Sequence, residues 1–125
     1  MRIEQFIFEE LPNAKKNNDI ERVKILESII HEVLTLTTER NHIIAKKETI
    51  KEVLFAKCKL IEDQYYRSKN KEKELYKKKL KIIYYYLVRN VSFKELIDYQ
   101  RRRIKNNEVE LKILIKLKRL KKTLF

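Results

Sequence analysis

The chain has 125 residues, of which 43% are hydrophobic and 39% are charged, and its formal net charge at pH 7 is +13. This length fits one domain, or one domain with a small appendage, and the hydrophobic fraction argues against wholesale disorder. The composition includes no glycine and one proline, which disfavours the tight hairpin turns of β-rich folds. Lysine, glutamate, leucine, isoleucine and arginine are abundant, which favours helices. We therefore predict an all-α protein, a bundle of five to six helices.

Cysteine usage and hydropathy narrow the class of protein further. Cys58 is the one cysteine, and there are two histidines, so neither an internal disulfide nor a four-ligand Cys/His zinc site is expected. No apolar run approaches the roughly 18 residues of a membrane span. The N-terminal stretch MRIEQFIFEEL carries acidic side chains in place of a signal peptide's apolar core. We expect a soluble cytoplasmic protein with no cofactor and no metal.

The first two predicted helices are separated by a pair of asparagines. Apolar spacing predicts a helix over residues 2–17, and Pro12 should end or kink it near Glu10–Leu11. Asn17-Asn18 is typical of a turn, and Asp19 is a favourable N-cap for the next helix. That second helix is predicted over about 20–39. Its expected core face is Ile20, Val23, Leu26, Ile29, Ile30, Val33 and Leu34.

The third and fourth helices are predicted from capping and spacing signals. Thr49 with Glu52 resembles a capping box, although the helix could also begin near His42. Asn70 should break the chain before a fourth helix at about 71–89. The expected core residues of the third helix are Ile50, Val53, Leu54, Cys58 and Ile61, and those of the fourth are Leu75, Leu80, Ile83 and Leu87.

The last part of the chain should hold two further helices. Ser92 with Glu95 fits a capping box, and Phe93, Leu96 and Ile97 supply the apolar face of a helix that runs to about Lys105. A final helix should start near Asn107. The alternation of Leu111, Ile113, Ile115 and Leu117 also suits a strand, but no other segment offers a pairing strand. We predict a helical scaffold over residues 1–90 and a small basic helical pair over 91–125.

Charge is distributed very unevenly along the chain. Residues 1–68 contain 12 Lys/Arg and 12 Asp/Glu, whereas residues 69–125 contain 19 Lys/Arg and 6 Asp/Glu. The whole net charge therefore belongs to the second half. Such a density of like charge repels itself unless a polyanion or counterions lie beside it. The first half is interpreted as scaffold and the second half as contact surface.

The first three quarters of the sequence resemble the YqeY family, which is similar to the tail domain of the GatB subunit of tRNA-dependent amidotransferases. The resemblance is carried by Leu11, Lys15, Lys16, Asp19, Arg22, Leu26 and Ile30, then by Glu52-Val53-Leu54, Lys57, Lys59, Tyr86-Leu87 and Ser92-Phe93-Lys94-Glu95. Val88 stands where the family usually has proline, and Glu27 where it often has arginine. The resemblance implies a helical bundle followed by a smaller helical domain, and a link to tRNA.

No residue pattern points to catalysis. His31 and His42 have no Cys, Ser or Asp partner at a spacing typical of a catalytic group, and a structural role is the simpler interpretation. Cys58 lies in the apolar register of its helix, which favours a buried small hydrophobe over a reactive thiol. The composition contains no glycine for a phosphate-binding loop. We predict that the protein is not an enzyme.

The predicted contact surface is basic, with tyrosines among the cations. An exposed tyrosine beside lysines can stack on an unpaired base, although core or boundary positions also explain Tyr84, Tyr85 and Tyr86. The candidate nucleic-acid-binding residues are Lys77, Lys78, Lys79, Tyr85, Arg89, Arg101, Arg102, Arg103, Lys105, Lys112, Lys116, Lys118, Arg119, Lys121 and Lys122.

Three functions remain open from the sequence. The first is an accessory protein that binds RNA or tRNA. The second is a DNA-binding regulator of phage or mobile-element type, in which the helices on either side of Asn106 form a helix-turn-helix-like pair. The third is a protein-interaction module or an inhibitor that docks on an acidic surface. Its contact stripe, also usable for self-association, would be Ile113, Leu114, Leu117, Leu120 and Leu124.

Overall fold

A computed structural model describes residues 1–103, and within them every regular element is helical. The first helix, α1, consists of Ile3–Gln5, a π-helical segment Phe6–Glu10 and Leu11–Lys16. It is followed by α2 (Ile20–Glu39), α3 (Lys47–Arg67), α4 (Asn70–Asn90) and α5 (Phe93–Arg103). The all-α prediction is confirmed. The final helix predicted from Asn107 lies outside the described residues.

Contacts divide the chain into two units, with the boundary between Leu87 and Val88. The first unit contains α1, α2, α3 and most of α4. The second begins with the last turn of α4 and continues into α5. No helix in residues 1–103 is long and apolar enough to cross a membrane.

Helix α1 continues through Pro12 instead of ending before it. Pro12 was predicted to end or kink the helix near Glu10–Leu11. The helix does not end there, since the chain stays helical to Lys16, but it changes from π-helical to α-helical geometry between Glu10 and Leu11. Proline lacks an N–H group, and its ring collides with the carbonyl four residues earlier in a regular α-helix. Here the preceding turn is π-helical, and the Leu11 N–H bonds to the Phe6 carbonyl five residues back. We attribute the tolerance of Pro12 to this wider turn.

Asparagine residues stand at the breaks between successive helices, at positions where many proteins have glycine. Asn18, Asn41 and Asn70 have φ angles of 54°, 55° and 58°, in the left-handed region that asparagine tolerates better than most residues. The predicted turn at Asn17-Asn18 and the predicted break at Asn70 are confirmed. A chain without glycine can therefore still separate its helices sharply.

Two of the three predicted helix caps are present. The Asp19 Oδ1 accepts a hydrogen bond from the Arg22 backbone N–H at 3.3 Å, and α2 spans the predicted residues 20–39. At the start of α5, the Ser92 N–H donates to Glu95 Oε1 and the Glu95 N–H donates to Ser92 Oγ, both at 3.1 Å. This reciprocal pair satisfies two backbone donors that the helix would otherwise leave unbonded.

The capping box predicted at Thr49 and Glu52 is wrong. Helix α3 begins at Lys47, three residues before the start that a cap at Thr49 implies; it has no side-chain cap, and Thr49 is buried. Glu52 instead accepts two hydrogen bonds from the Arg40 guanidinium, at 2.8 and 2.9 Å. This bidentate pair links the turn after α2 to α3, and its geometry is the favoured one for arginine and carboxylate.

The core of the first unit follows the predicted faces with three exceptions. Phe6, Leu26, Val33 and Leu54 are fully buried, and the five predicted core residues of α3 are all buried. Ile20, Leu34 and Leu75 were predicted to be core but are 64%, 42% and 40% exposed. Ile20 opens α2 at the surface, and Leu34 lies about 100° around the helix from buried Val33. Leu75 precedes the part of α4 in which burial begins, at Leu80.

In α5, Leu96 is buried and Ile97 is half-buried, as the predicted apolar face requires. Phe93 was predicted on the same face but is 42% exposed. Phe93 is the first residue of the helix, at its exposed N-terminal end.

A polar contact also ties α2 to α3. The Lys57 ammonium donates to Glu32 Oε1 at 2.8 Å and to the Ser28 hydroxyl. The Lys57 side chain is only 10% exposed, so the carboxylate supplies an opposite charge to an ammonium that has lost most of its water.

Candidate nucleic-acid interface

Helix α4 carries seven Lys/Arg residues and two glutamates, and its lysines divide between two faces. Lys77 and Lys78 are exposed, whereas Lys79 is half-buried, with its Nζ 5.1 Å from the centre of the Tyr76 ring. Consecutive residues on a helix point about 100° apart. The three lysines of the predicted run Lys77–Lys79 therefore do not share one environment, because the Lys79 ammonium lies over an aromatic ring.

Lys81 belongs to the same face as Lys77 and Lys78 and was missed by the sequence analysis. It is exposed, and its spacing of three and four residues from the other two places all three within a strip of about 100°. We call Lys77, Lys78 and Lys81 the lysine ridge. The spacing of three and four residues that relates Lys81 to the other two lysines is present in the sequence.

Tyr85 follows Lys81 by four residues on this face. It is half-buried, whereas Tyr84 and Tyr86 on either side are buried. The Tyr85 ring lies 5.1 Å from that of Tyr86, at an interplanar angle of 89°. The guanidinium carbon of Arg22, from α2, is 5.1 Å from the centre of the Tyr85 ring. Edge-to-face and cation–π contacts of this kind hold the ring in a fixed orientation.

Arg22 is itself held by two polar contacts. Its Nε donates to Asp19 Oδ2 at 3.1 Å, and its Nη1 donates to the Tyr86 hydroxyl at 3.0 Å. Burial lowers the pKa of Arg22, but the hydrogen bonds to Tyr86 and Asp19 outweigh it, and the net pKa is raised. The guanidinium is therefore a permanent positive charge next to the Tyr85 ring.

The buried tyrosine hydroxyls predict how stability depends on alkaline pH. Burial raises the pKa of Tyr86 from 10.0 to about 12, although the Arg22 bond opposes the shift, and burial also raises the pKa of Tyr84. Because the folded state holds these protons more tightly, the stabilisation is fully present below pH 10.0 and is lost as the pH rises towards about 12.

We expect urea unfolding midpoints, measured by circular dichroism from pH 9 to 12, to fall above about pH 10. The variant Tyr86→Phe should show a smaller fall, because it removes one titrating hydroxyl. An equal fall in both proteins would exclude Tyr86 as a source of the pH dependence.

Ion pairing distinguishes the scaffold from the lysine ridge. Arg22 pairs with Asp19, Arg40 with Glu52 and Lys57 with Glu32, all within the electrically neutral residues 1–68. By contrast, the structure of residues 1–103 gives no ion pair to any of the three lysines of the ridge. In general, exposed cations without an ion-pair partner attract solvent counterions, which a polyanion would displace on binding.

Further predicted residues lie in the second unit. Arg89, Arg101 and Arg102 are exposed, and Arg103 is the last described residue of α5. Lys94, which the sequence analysis did not select, is exposed and lies seven residues before Arg101, two turns along one side of the helix. The other candidates lie outside the described residues: Lys105, Lys112, Lys116, Lys118, Arg119, Lys121 and Lys122, with the stripe Ile113, Leu114, Leu117, Leu120 and Leu124.

The three residues that could take part in catalysis, His31, His42 and Cys58, differ in how far they are buried. His31 is exposed and His42 is half-buried. Cys58 is fully buried, and its Sγ is 3.5 Å from Glu62 Oε1 inside the core. Within residues 1–103, no three His, Cys, Asp or Glu side chains are placed to hold a metal ion.

Comparison of the chain with protein-family models, with curated proteins and with solved structures gives no match. The resemblance to the YqeY family stays a prediction.

Proposed function

We propose that this chain is a non-enzymatic helical accessory protein that binds nucleic acid, with RNA favoured over DNA. The supporting observation is the lysine ridge, where three exposed lysines on one helix face form no ion pair with any residue of 1–103. The basic residues of the second unit are further candidates for phosphate contact. A cationic surface of this type attracts the phosphate backbone irrespective of sequence.

The preference for RNA rests on two arguments. The resemblance to the YqeY family implies a link to tRNA. Tyr85 adds an aromatic side chain next to the lysine ridge, and stacking of unpaired bases on aromatic rings is a common means of RNA recognition. A DNA-binding regulator would instead place a helix in the major groove of a duplex.

Competition between tRNA and duplex DNA tests this proposal. We expect unlabelled tRNA to displace a labelled tRNA from the protein at lower concentration than a DNA duplex of equal phosphate content, in fluorescence anisotropy at about 0.1 M salt. Stronger displacement by duplex DNA would favour the DNA-binding regulator. Failure to bind either ligand at about 0.05 M salt would refute nucleic-acid binding and leave the protein-interaction module.

A further inference from the structure

An aromatic side chain and a guanidinium lie at the end of the lysine ridge. Tyr85 is one helical turn beyond Lys81, which corresponds to a rise of about 6 Å and a rotation of about 40°. The guanidinium of Arg22 reaches the Tyr85 ring from α2, with its carbon 5.1 Å from the ring centre. Three exposed lysines are thus followed directly by an aromatic ring on the same face of α4.

The ring of Tyr85 is oriented before any ligand arrives. It meets Tyr86 edge-on. Tyr86 is in turn fixed by the Phe6 ring, 5.6 Å away, and by the hydrogen bond from Arg22. A ligand that stacks here does not have to order the side chain, so little conformational entropy is lost on binding. Because Tyr85 is half-buried, part of this oriented side chain remains accessible.

We infer that Tyr85 and Arg22 form a stacking site for an unpaired base, and that the ligand of the lysine ridge is a single-stranded or loop segment of nucleic acid. This inference rests on the proposed function. In a duplex the bases are already stacked on one another and cannot reach the ring. In a single strand the phosphates can follow the lysine ridge while one base turns onto Tyr85.

The preference of the unaltered protein provides the first test. We expect tighter binding of a labelled single-stranded RNA of about 12 nucleotides than of an RNA duplex of the same length at the same salt concentration, since one protein site of this kind covers about 4–16 nucleotides. Equal or tighter binding of the duplex overturns the inference, and no variant is needed to reach that result.

Two substitutions at one position provide the second test. Tyr85→Leu should weaken binding of the single strand by about 5- to 150-fold, the range that loss of one stacked base gives, and should leave the duplex unchanged. Tyr85→Phe should bind both ligands as the unaltered protein does, because the ring is kept. Circular dichroism establishes that each variant remains folded.

The outcomes separate the inference from the proposed function. A Tyr85→Leu variant that binds the single strand normally, or that loses both ligands equally, refutes the stacking site. The variant Lys77→Glu/Lys78→Glu/Lys81→Glu should lose both ligands if the proposed function is right. If that triple variant binds both ligands normally, the proposed interface itself is refuted.

Discussion

Replacing Tyr84 with phenylalanine is expected to lower the free energy of unfolding by about 1.5–3 kcal/mol. The Tyr84 hydroxyl donates a hydrogen bond of 2.9 Å to Glu62 Oε2, and the two residues are 6% and 1% exposed. Removing the donor leaves a carboxylate oxygen in the core with one partner fewer and with little access to water. Urea unfolding at pH 7 measures the change.

A control with the same chemical change is available in α3. Tyr65 is half-buried, and its ring is covered by the Lys73 ammonium, 4.9 Å from its centre. Tyr65→Phe keeps that ring and should change stability by less than about 0.5 kcal/mol. Equal effects of the two substitutions would contradict the assignment of the Tyr84 effect to its bond with Glu62.

A second substitution isolates the pair. If the Glu62–Tyr84 hydrogen bond matters, the losses of unfolding free energy in the two single variants should not add. The double variant Glu62→Leu/Tyr84→Phe should lose about 0.5–3 kcal/mol less than the sum of those two losses. The physical reason is that the double variant leaves neither a buried hydroxyl nor a buried carboxylate without its hydrogen-bond partner. Additive effects would show that the two side chains do not depend on each other.

The largest expected effect on binding follows reversal of charge on the lysine ridge. Three lost phosphate contacts correspond to a loss of affinity of about 100-fold for a single strand at 0.1 M salt. Lys77→Glu/Lys78→Glu/Lys81→Glu should therefore bind about 100-fold more weakly, in fluorescence anisotropy, than the unaltered protein. The three side chains are exposed, so helix content should not change.

A matched control tests whether position or total charge is responsible. Lys46, Lys47 and Lys59 are also exposed, and they lie at the start and on the surface of α3. Reversing any three lysines lowers the formal net charge by six, from +13 to +7. The control Lys46→Glu/Lys47→Glu/Lys59→Glu therefore has the same net charge as the lysine-ridge variant. If the lysine ridge is the interface, the control should lose much less affinity for the single strand. Similar losses in both variants would indicate a general electrostatic attraction.

Signals within a few residues of one another predicted much of the fold. The bounds of α2 follow from the cap at Asp19 and from apolar spacing, and the start of α5 follows from Ser92 and Glu95. The breaks at Asn18 and Asn70 follow from the conformational tolerance of asparagine. In each case the interacting groups lie within a few residues of one another, so a short stretch of sequence is enough to predict the interaction.

An interaction between distant residues accounts for the error at Glu52. Glu52 was assigned to a local cap, but its partner Arg40 lies 12 residues away. The buried bond between Glu62 and Tyr84 joins residues 22 apart. No spacing rule selects such pairs, because the packing of helices decides which side chains meet.

The sequence pattern indicated two of the three exposed lysines on this face of α4. The sequence selected Lys77, Lys78 and Tyr85, and it missed Lys81 although the helical spacing was present. The contact of Arg22 with Tyr85 could not be predicted, because the two residues are far apart in the sequence and meet only in the folded chain.

The salt dependence of RNA binding tests the central claim most directly. The logarithm of the affinity is plotted against the logarithm of the salt concentration, and the slope of this line is compared between proteins. The slope for the lysine-ridge variant should be smaller in magnitude by about 2 than that for the unaltered protein, because each phosphate contact with a single strand contributes about 0.7. The Lys46/Lys47/Lys59 control should keep the original slope. Equal slopes for all three proteins would contradict the proposal that Lys77, Lys78 and Lys81 contact phosphates.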